Sequence, residues 1–488
     1  MTLRRQQNAF EGATTGFRME QKGLLSGTAD SLAVREVEHL RKRSHHLCRN
    51  NALAITARQK LITHWIGAGI KVRFNNKAVQ TEWDKFINSP SVDGWGNLYN
   101  LQSLWASGYF ESGEIFTRMI LKDNPACKVP LILQTLEAEQ LDLSYTANMN
   151  TRAGIEFSLE GKPLKYWMWK YYPGDSLIRE TNLRVPIPAE DILHIFQRDR
   201  PGQWRGIPRL SGVLLPLYEL DELMDATLVR QKLAQIVAWV VETEGDMPPV
   251  LGTTDSEIDP EEPTHEGRSS QIQTILPGGI HYFRNGEKLK FATTEDIGNN
   301  FVTFLTSQIR LIASALGLTY EQLTGDLSSV NFSSIRAGLI EMRKAVSIVQ
   351  QQIFINLALD PLVQRFKELG GVYVSNSFTT CKYTFVLPKN EWVDPLKDVQ
   401  ADVEEIRAGL ATFEDKLAER GIEDIDAHIA LLQKFQKLDL TLSTNPAKMN
   451  TVEDSQAPAS ALTPSHLTKP KPKPKPKPTN NKSPEVKP

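Results

Sequence analysis

Two long amphipathic patterns dominate the C-terminal half of the chain. Phe301, Phe304, Leu305, Ile309, Ile312 and Leu316 recur at helical spacing, and Leu339, Met342, Val346, Val349, Ile353 and Leu357 continue a second stripe. Between them the segment GLTYEQLTGDLSSVNFSS, from Gly317 to Ser334, carries helix punctuation in place of an apolar period. Gly317 supplies a stop, Thr319 with Gln322 makes a capping box for a short helix, Gly325 and Asp326 break it, and Ser333 or Ser334 can cap the next. The segment reads as a polar loop held between helices.

Elsewhere the pattern alternates between the two periods. Helical spacing fills residues 31–69, and strands are predicted at Phe110 to Leu121, Leu131 to Leu136, Gly154 to Phe157, Tyr166 to Tyr172 and Ile192 to Phe196. Glu160-Gly161 is placed to turn a hairpin between two of them. From Leu210 the pattern becomes helical, with Val213, Leu217, Leu220, Met224 and Leu228 on one face and Pro216 bending the first turns. Glu219, Asp221, Glu222 and Asp225 precede Arg230 and Lys232, an order that complements the helix dipole. Residues 242–270, acidic and proline-rich, read as an exposed loop or disordered insert, and QTILPGGIHYFRNGEKLKFA after them as a small pair of strands. Val372 to Phe378 and Tyr383 to Leu387 are expected to be strands that rejoin the earlier sheet. Asp394-Pro395 then opens a helix with Leu396, Val399, Val403, Ile406 and Leu410 on one face, followed by helices at Thr412 to Arg420 and Glu423 to Phe435. The fold class is α+β.

Composition narrows the function classes. With 488 residues, 40% hydrophobic and 23% charged, the chain can bury several connected domains. No apolar run approaches the roughly 18 residues of a membrane span, the longest candidate being Ile236 to Val241. MTLRRQQNAFEGATTGF lacks the apolar core of a secretory signal, so use inside a cell is expected. Cys48, Cys127 and Cys381 are scattered without a CxxC pair, which indicates buried thiols rather than a disulfide framework or zinc site. His45 and His46 point about 100° apart on a helix, a poor start for a metal site. No metal or cofactor is expected.

Charge is polarised along the chain. The last twenty residues hold seven lysines against Glu485, a balance of +6, so with the whole chain at −2 the remainder carries −8. From Lys469 to Pro478 lysine and proline alternate strictly, a pattern that reads as an extended, disordered arm. Such an arm can touch DNA, acidic protein or membrane, or only solubilise the chain.

Three blocks carry a resemblance. They are HLCRNNALAITARQKLITHWIGAGIKVRF from His46, DILHIFQRDRPGQWRGIPRLSGVLLPLYELDELMDATLVRQK from Asp191, and GLTYEQLTGDLS with NFSSIRAGL between Gly317 and Leu339. In this order they resemble the lambda-like family of bacteriophage portal proteins, and the likeness extends over roughly residues 35 to 435, DVEEIRAGLATFEDKLAERGIEDIDAHIA included. The resemblance implies a portal-type subunit with an α/β wing, helical stem, small α/β clip and helical crown, assembling into a ring of about twelve copies. On this sequence it implies a flexible arm at 1–30, wing at 31–209, stem helix at 210–236, clip at 237–296, second stem helix at 297–317, tunnel loop region at 318–334, long helix with returning wing strands at 335–390, crown at 391–440 and a disordered tail at 441–488.

It also implies partners and sites. The partners would be sequence-independent double-stranded DNA, the terminase large subunit, major capsid and scaffold protein, and a head-tail adaptor, with no membrane; the place would be the portal vertex of the virion, assembled in the bacterial host cytoplasm. Asn331, Ser333, Ser334 and Arg336 would face DNA from the tunnel loop, and Arg343 with Lys344 would add a basic ring, unless these arginines pair with Glu341 or a neighbouring subunit. Arg198, Arg200, Trp204 and Arg205 form a basic, aromatic loop for nucleic acid or for intersubunit salt bridges, its Pro201-Gly202 and Gly206-Ile207-Pro208 suiting a fixed turn.

Catalysis finds no support in the motifs. GxxxxGK[ST], HExxH, GxSxG and a strand-borne GxGxxG are all missing, and the acidic cluster Asp255, Glu257, Asp259, Glu261 and Glu262 lacks calcium-loop spacing. ATP hydrolysis for packaging would therefore belong to a separate terminase. A minor capsid or head-tail connector protein is the alternative within the class, and connectors are usually shorter chains. A terminase or nuclease subunit is the alternative outside it, and would need a phosphate loop or a metal-binding carboxylate set.

Overall fold

The computed structural model describes residues 27–146, 149–175, 177, 183–236, 240–243, 287–290, 299–328, 332–388, 395–413, 416–417 and 425–437. The chain opens with two helices joined at one asparagine. α1 (Ala29–Asn50) starts where the Thr28 hydroxyl accepts from Ser31 N, and Asn51 both ends it and caps α2 (Ala52–Ile66) by accepting from Ala54 N. α2 then leads into β1 (Lys71–Phe74). α3 (Lys77–Asn88) and α4 (Leu98–Ser112) follow, capped by Asn76 and Asn97. Gly113, at φ 80°, ends α4 and allows β2 (Glu114–Ile120) to leave at once. The strand expected from Phe110 therefore begins four residues later, because the helix keeps Phe110 in its own buried face.

Two antiparallel sheets build the β region. β3 (Ile132–Leu136), β2 and β8 (Ile192–Phe196) form one, in the order β3-β2-β8. β4 (Thr151–Arg152), β5 (Ile155–Phe157), β6 (Pro163–Trp169) and β7 (Arg184–Pro188) form the other in sequence order. The hairpin between β5 and β6 turns through Gly161 at φ 84°. Alternation sorts the three-stranded sheet between two cores. Ile115, Met119, Leu193 and Ile195 enter the helical core, while Phe116 and Ile192 enter a second core with Tyr166, Met168 and Ile187 of the four-stranded sheet. With both faces covered, β8 is buried at every position, which is why ILHIF shows no alternation.

α5 (Leu214–Ile236) packs against α6 (Asn299–Ala315), and β9 (Val240–Thr243) pairs antiparallel with β10 (Glu287–Lys290). The strand pair expected within QTILPGGIHYFRNGEKLKFA thus contributes Glu287–Lys290, whose described partner is Val240–Thr243. Residues 244–286, with most of the acidic insert, lie outside the described residues. Pro216 falls in the first turn of α5, where its missing N–H costs no helical bond.

α7 (Tyr320–Thr324) precedes the longest helical rod of the described chain. α8 (Phe332–Val349) passes without a break into a π-helix (Gln350–Leu359) and then α9 (Asp360–Tyr373). From Ile335 to Tyr373 this rod is long and apolar enough to cross a membrane by length and composition, yet half of its most apolar window is buried within the protein. It is a core helix, packed on α2 and β8. The strand expected at Val372 to Phe378 is not formed. α9 runs on to Tyr373, and α10 (Ser377–Thr380) folds back so closely that a Cβ at Gly370 would lie 2.1 Å from the Phe378 ring. β11 (Tyr383–Val386) is the strand expected there, but it pairs with β1 and not with the larger sheets.

A second unit begins at Asp394. Its described helices are α11 (Pro395–Arg407), which opens on Pro395 as expected, and α12 (Ile425–Lys437). Gly409, at φ 71°, closes α11 before Leu410, which is exposed. Lys416 Nζ pairs with Asp402 at 3.1 Å and Glu405 at 2.7 Å. Asp394 and most of the helix expected up to Arg420 lie outside the described residues, as do residues 1–26 and the Lys-Pro arm.

Candidate functional site

The polar segment after α6 is built as its punctuation requires. Gly317 takes φ 75° and stops α6; the Thr319 hydroxyl accepts from Gln322 N at 3.3 Å while the Gln322 side chain accepts from Thr319 N at 2.9 Å. Gly325, at φ 74°, ends α7, and Asp326 turns the chain by accepting from Ser328 N at 2.9 Å. Leu323 is buried, Gln322 donates to Met342 Sδ, and α7 packs on α2 and α6. Arg310 of α6 is exposed and lies over the Tyr320 ring at 5.4 Å, a basic group that the motif reading passed over. The stretch from Asp326 to Ser328, with exposed Leu327, is thereby presented between two helices held from behind.

Of the residues expected to line this loop, Asn331 lies outside the described residues. α8 begins at Phe332, so Ser333 and Ser334 belong to its first turn and neither is the residue before it. Arg336 and Arg343 are half-buried on α8, and Lys344 is exposed. Burial, with the charges of Lys60 and Arg343, pushes His64 on α2 below its ordinary value.

The second candidate loop is organised around a buried carboxylate. Glu114, fully buried at the start of β2, accepts from Arg205 Nε at 2.9 Å and from Gly206 N at 2.7 Å, and the Arg205 Nη2 contact is tighter still. Arg41 of α1 adds a salt bridge at 2.6 Å and donates to Ser112 O at 3.0 Å. His194 of β8 bonds the other carboxylate oxygen at 3.1 Å and meets the Tyr166 hydroxyl at 3.3 Å. Burial alone would raise Glu114; the charges of Arg205 and Arg41 with the His194 hydrogen bond outweigh it and hold the carboxyl well below the usual range. His194 is pushed down by burial, consistent with a neutral ring donating to Glu114.

This corrects the reading of Arg205 as a contact residue. Its side chain is 1% exposed and spent inside the subunit. The motif RPGQWRGIP is instead a stitched turn. Gln203, also buried, accepts from Asp199 N and Arg200 N and donates to Arg205 O, while Asp30 accepts from Trp204 N at 2.7 Å. Gly206 crosses Gly113 so closely that a Cβ would lie 2.2 Å from the Gly113 carbonyl oxygen. Trp204 packs into the second core, and Arg198, exposed, covers its ring at 4.3 Å. Arg200 is exposed. Arg198 and Arg200 are the members of this set that face outward.

Beside the clasp a cavity of about 390 Å³ is lined by His45, Arg49, Arg58, Glu111, Glu137 and Tyr172, among others. Within it Arg58 pairs with Glu111 at 2.5 Å, and His45 bonds the Ser112 hydroxyl at 2.8 Å.

The family described as phage portal protein, lambda family, matches residues 15–350, more than half of the chain. The chain belongs to the lambda family of phage portal proteins. It is 26% identical over 424 residues to the probable portal protein of Halomonas phage phiHAP-1, covering 81% of this chain and 78% of that one. It is 26% identical over 304 residues to portal protein B of Escherichia phage lambda, covering 56% of each chain. Among solved structures, a chain from the neck of a native gene transfer agent particle with C12 symmetry aligns at TM-score 0.46, 14% identity, 78% of this chain and 90% of that one. An HK97-family portal protein from Corynebacterium diphtheriae aligns at TM-score 0.32 and 10% identity, over 72% and 95%. As a portal protein the chain is a component of the portal vertex of a phage particle, and its family is structural rather than enzymatic.

Proposed function

We propose that this portal protein forms a closed ring of about twelve subunits through which double-stranded DNA enters the capsid and later leaves. The observation that carries the reading is the clamped helix–loop–helix from α6 to α8, which presents a short polar loop from two rigid rods. In a ring, each copy of that loop adds to one annulus around the duplex. α5 and α6 act as the stem, the β9–β10 pair marks the base of the clip, residues up to 209 together with β11 form the wing, and α11 with α12 the crown.

The surface of the stem supports assembly. Leu215, Met224, Leu228 and Val229 of α5 and Val302, Phe304 and Leu311 of α6 are exposed in the single chain, more apolar surface than an isolated helix pair keeps in water. A neighbouring subunit covers it. Transport requires guidance without retention, since each neutralised phosphate adds salt-sensitive affinity. Ser333, Ser334 and Asn331 suit weak, sequence-blind contacts to phosphate oxygens, and Arg336, Arg343 and Lys344 supply a limited positive belt. Arg198 and Arg200 face a neighbouring subunit. The terminase large subunit docks at the clip, the ring is built with major capsid and scaffold protein in the host cytoplasm, and a head-tail adaptor later binds it.

End-on electron microscopy of the purified protein, paired with a packaging reaction, tests this. Rings with a central hole of about 20 Å or more, the width of a duplex, are expected. Arg336→Ala is expected to preserve ring size and alter the amount of DNA packaged. Wild-type rings without a hole that admits a duplex, or without packaging in the presence of capsid and terminase, would sink the reading.

A further inference from the structure

Gly338 is an unexpected residue for the middle of α8. Glycine weakens a helix interior, and α8 turns there with ordinary helical backbone. The reason lies across the gap to the capped turn. A Cβ at Gly338 would come within 2.9 Å of Thr319 Cγ2, closer than carbon atoms pack. Thr319 cannot swing that methyl aside at no cost. Its hydroxyl is committed to Gln322 N as the cap of α7, and because the methyl and hydroxyl share one carbon, the cap hydrogen bond fixes both. The same turn is pinned a second time where Gln322 donates to Met342 Sδ, one turn further along α8, and a third time by buried Leu323.

We propose that Gly338 is a positioning residue for DNA passage: its bare backbone sets the depth at which α7 seats on α8, and so the height and radius at which the loop from Asp326 to Ser328 stands in the channel. The inference rests on the ring reading above and adds to it a specific contact. α7 packs on α2 and α6 and meets α8 at this contact and at Gln322–Met342, and the loop inherits its position from the Gly338–Thr319 contact. DNA never needs to touch either residue for a change there to be felt.

The contact offers a reciprocal test. Gly338→Ala adds the offending carbon, and Thr319→Ser removes the methyl it strikes while keeping the capping hydroxyl. Complete portal rings in proheads, with terminase and ATP, are assayed for packaged DNA, and rings carrying a nitroxide at Ser328→Cys are measured for label-to-label distances across the channel. Gly338→Ala is expected to lower packaging by roughly tenfold, in keeping with the penalty for ångström-scale misplacement, and to shift the label distances. Adding Thr319→Ser is expected to restore both. Since alanine improves a helix, a loss in Gly338→Ala does not come from helix propensity.

Normal packaging and unshifted distances in Gly338→Ala overturn the proposal, as does a loss that Thr319→Ser fails to repair. If Gly338→Ala alone assembles no rings, the double variant decides on the same readouts: wild-type distances and packaging support the contact, and altered ones overturn it. Failure of wild-type rings to package in the same reaction bears on the ring reading and not on this contact.

Discussion

Two glycine-punctuated polar segments of this chain, Arg198 to Pro208 and Gly317 to Ser334, look alike on paper and are built in opposite ways. The first gives its most polar groups to the interior. Arg205 and Gln203 are each 1% exposed; Arg205 and the Trp204 N–H reach partners on β2 and α1, far away in sequence, while Gln203 ties the turn to itself. The second spends its hydrogen bonds on its nearest neighbours, Thr319 on Gln322 and Asp326 on Ser328, leaving Leu327 and its polar neighbours in the open. A basic residue in a loop therefore says little about exposure until its counter-charge is found. What separates a structural turn from a presenting loop is the range over which its polar atoms are satisfied.

The sharpest way to break this contrast is to remove the counter-charge. Glu114→Ala leaves Arg41 and Arg205 facing each other in the core and should cost about 3–5 kcal/mol, read as a fall in the denaturant midpoint. A loss below about 1 kcal/mol would mean that the clasp is not what holds the turn. Next comes the backbone crossing. Gly113→Ala forces φ 80° on a residue with a Cβ, which would sit 2.1 Å from the Ile207 carbonyl carbon; roughly 2–3 kcal/mol of stability should go, seen as a lowered melting temperature.

Acid should probe the clasp more gently. His194 is held below its unfolded value of 6.5, so the unfolded chain binds the proton first and stability should fall as pH drops beneath 6.5. Glu114, held well below 4.5, keeps its contribution above that value and loses it as pH falls further, through its folded value. His194→Phe, which keeps an aromatic ring between Phe116 and Phe196, should flatten the upper part of that slope in unfolding curves taken across the window. An unchanged slope would place the proton uptake elsewhere, with His64 the next candidate. The smallest effect is expected at the surface: Arg198→Ala removes an exposed cation from the Trp204 face and should cost about 0.5–1 kcal/mol. A much larger loss would make Arg198 part of the interior network.

Much of the fold was legible because its signals are local. Thr319 with Gln322, Gly317, Gly325 and Gly161 each act within a few residues, and each ended or began an element where its chemistry required. The failures have a common physical cause. Val372 to Phe378 alternates like a strand, but Gly370 lets Phe378 fold back onto the helix, a close approach that no periodicity encodes. β11 was recognised and given the wrong partner, since pairing with β1 joins residues some three hundred positions apart. Glu114 stayed invisible for the same reason: a lone acid at a strand start gains meaning only when Arg41, His194 and Arg205 converge on it. The loop between α6 and α8 could be found from sequence, whereas what holds it, Gly338 and Met342, could not.

The ten-residue π-helix between α8 and α9 has a bearing on how this protein can change over time. A π-turn holds more residues than an α-turn, so the segment stores surplus chain inside an unbroken rod. Losing one residue there would draw the segment toward α geometry, and because each α residue turns further than a π residue the two changes offset each other, with no loop remade and no helix interrupted. Gln350, whose side chain donates to the Trp65 carbonyl at 2.8 Å, marks the end from which such a change would start. Single-residue insertions and deletions, ruinous in most buried helices, would be absorbed here as slack, leaving α8 and α9 close to the faces they now present.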